Sequence, residues 1–206
     1  MSLVLQQLQL WLGEQPLFAP ISAEVEPGQI FSLMGPSGCG KSSLLAAVIG
    51  DLPAAFRLQG DVRWAGESLL AVPMQHRRIG LLHQESLLFP HWSVAGNLGF
   101  ALPAKLNKAE RKLAIEQGLI KAGLQGFADR DISSLSGGQK ARISLLRTLF
   151  SQPRALLLDE PFSKLDAELR ASFRQFVFDL IAEQQIATIL VTHDVQDCPS
   201  APLRMG

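Results

Sequence analysis

The apolar positions fall into short runs separated by turn residues. Residues 3–12 and 21–34 carry strand-like alternation and apolar runs, punctuated by "GEQP" and "EPGQ". Within the second stretch, "IFSLM" (30–34) fits a buried strand that ends on a glycine, and residues 41–50 then read as a helix. "RIGLLHQ" (78–84), "ALLLD" (155–159) and "ATILVT" (187–192) predict three further strands. Helical spacing recurs over 93–102, over 108–124 with one charged face, and over 166–184, which is amphipathic. Strands alternating with helices imply an α/β fold with a mainly parallel sheet. Residues from about 91 to 134 carry no strand signal and predict a helical insert.

Composition narrows the setting. A chain of 206 residues has room for one sizeable domain with a buried core. Its 19 basic and 19 acidic residues balance, so the expectation is no nucleic-acid partner. Two cysteines, Cys39 and Cys198, cannot build a disulfide framework, and a reducing compartment is expected. The N-terminus lacks the basic and long apolar regions of a signal peptide, and no apolar run approaches the roughly 20 residues that span a bilayer. A chain of this kind working at a membrane needs a partner to hold it there.

The chemistry concentrates in a few motifs. "GPSGCGKSS" (35–43) fits G-x-x-x-x-G-K-[ST] and lies between a predicted strand and a predicted helix. Gly35, Gly38 and Gly40 let the backbone wrap a phosphate, with Pro36, Ser37, Cys39 and Ser43 in the same loop. Lys41 supplies positive charge, and Ser42 offers its hydroxyl to Mg²⁺. Asp159 ends the apolar run of "ALLLDEP", placed to hold the magnesium, and Glu160 beside it is the candidate general base for an attacking water. A second glycine-rich stretch, "ISSLSGGQKARISLLRTL", leads into an apolar-periodic run, as a helix N-terminus with bare N–H groups would. It reads as a second anion site, in its own subunit or in another. His76, His83 and His91 form no metal-ligand set by spacing.

In order and spacing, "GPSGCGKSS", "HQESLLFPHWSVAGNL", "LSGGQKARISLLRTL", "LLLDEPFSKLD" and "THD" resemble the ATP-binding subunit of ABC transporters over nearly the whole chain. The resemblance implies a RecA-like P-loop NTPase core with N-terminal antiparallel strands and a helical insert. It divides the chain into a nucleotide-binding core with P-loop and Q-loop (1–90), a helical subdomain (91–134), and the signature helix with the rest of the core (135–206). It implies ATP and Mg²⁺ as ligands. Ser136, Gly138 and Gln139 would bind the γ-phosphate of ATP on a second copy, closing an ATP-sandwich dimer. Gln84 would sense the metal from the Q-loop, "SKLD" (163–166) would be the D-loop facing the other copy, and His193 the switch histidine.

The stretch after the Q-loop most resembles ATPases of bacterial importers of small solutes, such as the thiamine, iron, sulfate and polyamine systems, and also resembles a short group of such ATPases without a regulatory domain. They imply transmembrane permease subunits, a separate solute-binding protein, and a cytoplasmic place on the inner face of the membrane. "SLLFPHWSVAGNLGFAL" reads either as ordinary core or as a groove for a short helix of a membrane subunit, with Leu88, Phe89, Pro90 and Trp92 forming the patch.

Two features depart from the resemblance. Trp11 stands one position before the place of the adenine-stacking aromatic, which leaves that contact undecided. After "THD" the chain has only "VQDCPSAPLRMG", so the last sheet edge is expected to be absent or irregular. The alternative function is a soluble ABC-type ATPase outside transport. A small-molecule kinase would have no use for "LSGGQ", and a regulator without turnover none for Glu160 and His193.

Overall fold

The computed structural model describes residues 1–205. The elements are β1 (Leu3–Leu12), β2 (Gln15–Pro16), β3 (Ile21–Val25), β4 (Ile30–Met34), α1 (Lys41–Ile49), β5 (Phe56–Trp64), β6 (Glu67–Ser68), α2 (Met74–Arg77) and β7 (Ile79–Leu82). They continue with α3 (Val94–Ala101), α4 (Lys108–Lys121), α5 (Gly137–Phe150), β8 (Ala155–Asp159), α6 (Ala167–Gln184), β9 (Ala187–Thr192) and β10 (Leu203–Arg204). The chain forms two compact units, one of residues 1–81, 154–160 and 179–206, the other of 82–153 and 161–178.

The first unit contains two sheets. One has the order β10-β4-β9-β8-β7, with β10, β4, β9 and β8 pairing in parallel. Every residue of β9 and all but Asp159 of β8 are buried, as expected of strands covered on both faces; this is why they read as apolar runs. The other sheet is antiparallel around β1, which pairs with β2, β3 and β5. Leu3, Leu5, Leu8 and Leu10 of β1 are all buried, although the step from 5 to 8 breaks a period of two. A bulge resolves this: the register shifts between Leu5 and Leu8 against β3, and Gln7 takes φ 48. The bulge returns Leu8 and Leu10 to the face of Leu3 and Leu5.

Helix α1 buries Leu44, Leu45 and Val48 in a core built from both sheets, including Leu5, Val62, Leu157 and Ile189. Each such side chain contributes about 1.5–3 kcal/mol on burial. The far end of α1 is closed from behind: the Arg77 guanidinium donates to Ala47 O (3.0 Å) and Val48 O (2.9 Å).

Three features differ from the sequence expectation. Strand β5 is long and central to its sheet, yet Gly60 interrupts its pattern. The short β2, β6 and α2 also carry no readable period. The sheet edge after His193 is present: β10 pairs with β4 through Leu203 and Arg204, and Met205 N–H donates to Met34 O (2.7 Å).

The second unit is helical apart from a single bridge, Ser93 to Asp131. Val94 and Leu98 of α3, Ile115 and Leu119 of α4, and Ile143 and Leu146 of α5 share one core. Ser93 caps α3 by accepting from Gly96 N–H, and Asn107 with Glu110 forms a capping box on α4. No helix among the described residues is long and apolar enough to cross a membrane.

Candidate nucleotide site

Parallel pairing sets Met34 beside Thr192 and Asp159 beside Val191. The loop after β4, the carboxylates ending β8 and the residue after β9 therefore gather at one carboxyl edge, where open α/β sheets place their ligands. The loop is Gly35–Gly40, and Lys41, Ser42 and Ser43 form the first turn of α1. Gly40, the N-cap of α1, has φ 92, and a Cβ there would stand 3.1 Å from the Phe18 ring. A glycine in this place provides no capping side chain, and α1 has no side-chain cap. Its first N–H groups are left for an anion.

Lys41 is 5% exposed and donates to Gly35 O (2.8 Å) and Pro36 O (2.9 Å). Its ammonium lies 3.8 Å from Glu160 Oε1, while Glu160 Oε2 is 3.0 Å from His193 Nδ1. The Glu160 backbone is left-handed at φ 46, and its N–H donates to Val191 O (2.9 Å). Ser42 Oγ donates to Asp159 Oδ1 at 3.1 Å. The first unit thus brings Ser42 to Asp159, and Lys41 and His193 to Glu160.

Trp11 is half-buried on β1, with the Arg57 guanidinium 4.6 Å from its ring centroid. Its indole N–H is buried without a hydrogen-bond partner. One face of the ring is thus already taken by a cation.

In the second unit Gln84 Nε2 donates to Ser163 Oγ at 3.0 Å, and Lys164 Nζ meets Glu85 Oε1 at 2.8 Å. Lys164 holds the Glu85 carboxyl below the usual carboxylate range. Ser136 is the N-cap of α5, with Gly137, Gly138 and Gln139 as its first three residues. This N-terminus is less bare than the sequence suggested. Ser136 Oγ accepts from Gln139 N–H (3.3 Å), and Gln139 Oε1 accepts from Ser136 N–H (2.9 Å). S-x-x-Q is the spacing of a capping box, a signal the glycines obscured. The Ser136 hydroxyl proton is still available to an anion, because the oxygen only accepts in that box.

Sequence reasoning also passed over Asn97 and Arg147. Asn97 is fully buried and bonds Phe89 N–H (2.8 Å) and Phe89 O (3.1 Å). An asparagine within the apolar "SVAGNLGFAL" was its only mark. Burial lowers the Arg147 guanidinium from its ordinary value. Of the patch residues, Phe89, Pro90 and Trp92 are exposed, whereas Leu88 packs on the core.

An uncapped helix behind a glycine loop, at the carboxyl edge of a parallel sheet and facing two carboxylates, defines the class of P-loop nucleotide-binding proteins. A family model described as ABC transporter matches residues 18–163. The uncharacterized ABC transporter ATP-binding protein YnjD of Escherichia coli K12 is 45% identical over 96% of this chain and 91% of its own length. The sulfate/thiosulfate import ATP-binding protein CysA of Gloeobacter violaceus is 39% identical over 96% of this chain, and the spermidine/putrescine import ATP-binding protein PotA 1 of Pseudomonas aeruginosa is 38% identical over 86%. The chain spans 57% and 48% of the length of these two relatives. The chain belongs to the ABC transporter family and is an ATP-binding ATPase subunit of it.

Proposed function

We propose that this subunit hydrolyses Mg-ATP as a sandwich dimer of two copies, and that it powers a solute importer. Its partners are transmembrane permease subunits, which hold it on the inner face of the membrane, and a separate solute-binding protein. The observation that carries the catalytic part is the Glu160 carboxylate, set between Lys41 at 3.8 Å and His193 at 3.0 Å. Lys41, Gly35, Gly38, Gly40 and the other loop N–H groups bind the phosphates. Glu160 takes the proton of the attacking water, and His193 fixes the carboxylate that receives it. Ser136, Gly138 and Gln139 receive the γ-phosphate held by the other copy.

The oxygens of Ser42 and Asp159, 3.1 Å apart, suit a hard divalent cation. Magnesium bound there would neutralise charge on the β- and γ-phosphates. The importer reading draws on CysA and PotA 1, whose names state import, and on the exposed aromatic patch around Trp92.

The purified chain should release phosphate from Mg-ATP and stop when EDTA is added. From detergent-solubilised membranes it should co-purify with an integral membrane protein that changes its turnover. Recovery of a fully active enzyme only from the soluble fraction would overturn transport and favour the soluble ATPase.

A further inference from the structure

Helix α5 carries Ser136–Gln139 at its start and Arg147 about 15 Å further along its axis. Arg147 Nη2 donates to Leu87 O at 2.9 Å, Nη1 lies 3.5 Å from Asn97 Oδ1, and the guanidinium carbon is 5.3 Å from the Phe89 ring centroid. Asn97 secures the same segment from below. Its amide bonds both backbone groups of Phe89 and also donates to Ser93 O at 3.1 Å. Residues 87–93 are thus strapped to two helices by an arginine and an asparagine.

The strap presents the exposed aromatic cluster. Phe89 packs tilted at 45° against Trp92 (4.7 Å between centroids) and edge-on against Phe100 (5.1 Å). Helix α5 is one uninterrupted helix that packs through a buried stripe including Ile143, Leu146 and Leu149, which makes it stiff along its axis. A displacement of its N-terminus carries the planar fork of Arg147 with it. The planar fork reaches a carbonyl and a ring face together, a geometry that the compact ammonium of a lysine reproduces less well.

We propose that Arg147 is a positioning residue through which the nucleotide-facing end of α5 sets the aromatic cluster Phe89–Trp92–Phe100. This rests on the reading above, in which Ser136–Gln139 meet the ATP of the other copy. When that end engages nucleotide, the cluster shifts with the helix. When the fork is lost, residues 87–93 stay on α3 through Asn97 and follow α5 only through the shared core.

Trp92 can report this directly, since the chain has only three tryptophans. The full chain with Trp11→Phe, Trp64→Phe and Glu160→Gln leaves Trp92 as the sole indole in a hydrolysis-deficient background. Two quantities are read with Mg-ATP: dimer formation by light scattering, and the emission and acrylamide quenching of Trp92. The parent should dimerise and its Trp92 signal should change. Arg147→Met should dimerise within about twofold of the parent but lose more than half of the Trp92 response. Arg147→Lys should keep an intermediate response, and amide exchange over residues 87–93 should speed up in both variants while that of α5 does not.

A folded Arg147→Lys protein with the full response would overturn the coupling, as would a parent that dimerises with a silent Trp92. A parent that binds no nucleotide and forms no dimer would overturn the underlying reading instead, and the light-scattering channel shows this separately.

Discussion

Glu160 holds a conformation that a non-glycine residue adopts at a cost of about 1–3 kcal/mol, and its environment sustains it through the bond to Val191 O. The left-handed turn is what aims its carboxylate at Lys41 and His193. Glu160→Gln keeps the backbone and the shape while removing the carboxylate proposed as the base. Hydrolysis should fall by roughly 10²–10⁴-fold, with nucleotide binding retained. Near-normal phosphate release from this variant would take Glu160 out of the role. The two thiols offer an independent check of the loop. Burial pushes the Cys198 thiol up from its ordinary value, so at a given pH less of it is thiolate. Cys39 lies within the phosphate loop itself. Iodoacetamide should therefore modify Cys198 slowly, and Mg-ATP should protect Cys39 against it. Peptide mapping that finds Cys39 labelled equally with and without Mg-ATP would place the nucleotide elsewhere.

At the scale of elements, legibility followed burial. β8 and β9 are covered on both faces and announce themselves as apolar runs. β1 and β3 show their alternation. β5 does not, because Gly60 breaks the pattern and reads as a turn. The structure gives that glycine a reason: its φ is 91, and a Cβ would stand 2.3 Å from Gln7 O, at the bulge of β1. Gly60→Ala should destabilise the first unit by at least about 2 kcal/mol. That corresponds to a fall in Tm of roughly 4–8 °C by calorimetry; an unchanged Tm would mean the bulge relaxes freely. The phosphate loop, Asp159, Glu160 and His193 were legible because each lies at or just after the end of a strand that was. The bond from Gln84 to Ser163 was not, since 79 residues separate the two and only the tertiary fold brings them together. Arg147 was hidden for a different reason: a lone arginine on an amphipathic helix looks like solvated surface until its acceptors are known.

For the whole molecule, the decisive test is whether the site is shared between copies. Ser136→Arg places a bulky side chain at the start of α5, and Lys41→Ala removes the cation from the phosphate loop. Each homodimer has two defective composite sites. A mixed dimer has one intact site and one carrying both defects. Mixing the two proteins should therefore restore some ATP-dependent dimerisation or hydrolysis above either parent. A mixture no more active than its components, with monomers at every ATP concentration, would return the signature to its own subunit. The strand order also sets a timetable for synthesis. β4, which leads into the phosphate loop, lies between β9 and β10, yet roughly 150 residues separate it from the first of these neighbours. At ordinary elongation rates the nascent chain carries β4 unpaired on both edges for on the order of ten to thirty seconds. Throughout that interval the ribosome displays an open apolar strand, so a holding chaperone has more to do for this subunit than its modest size suggests.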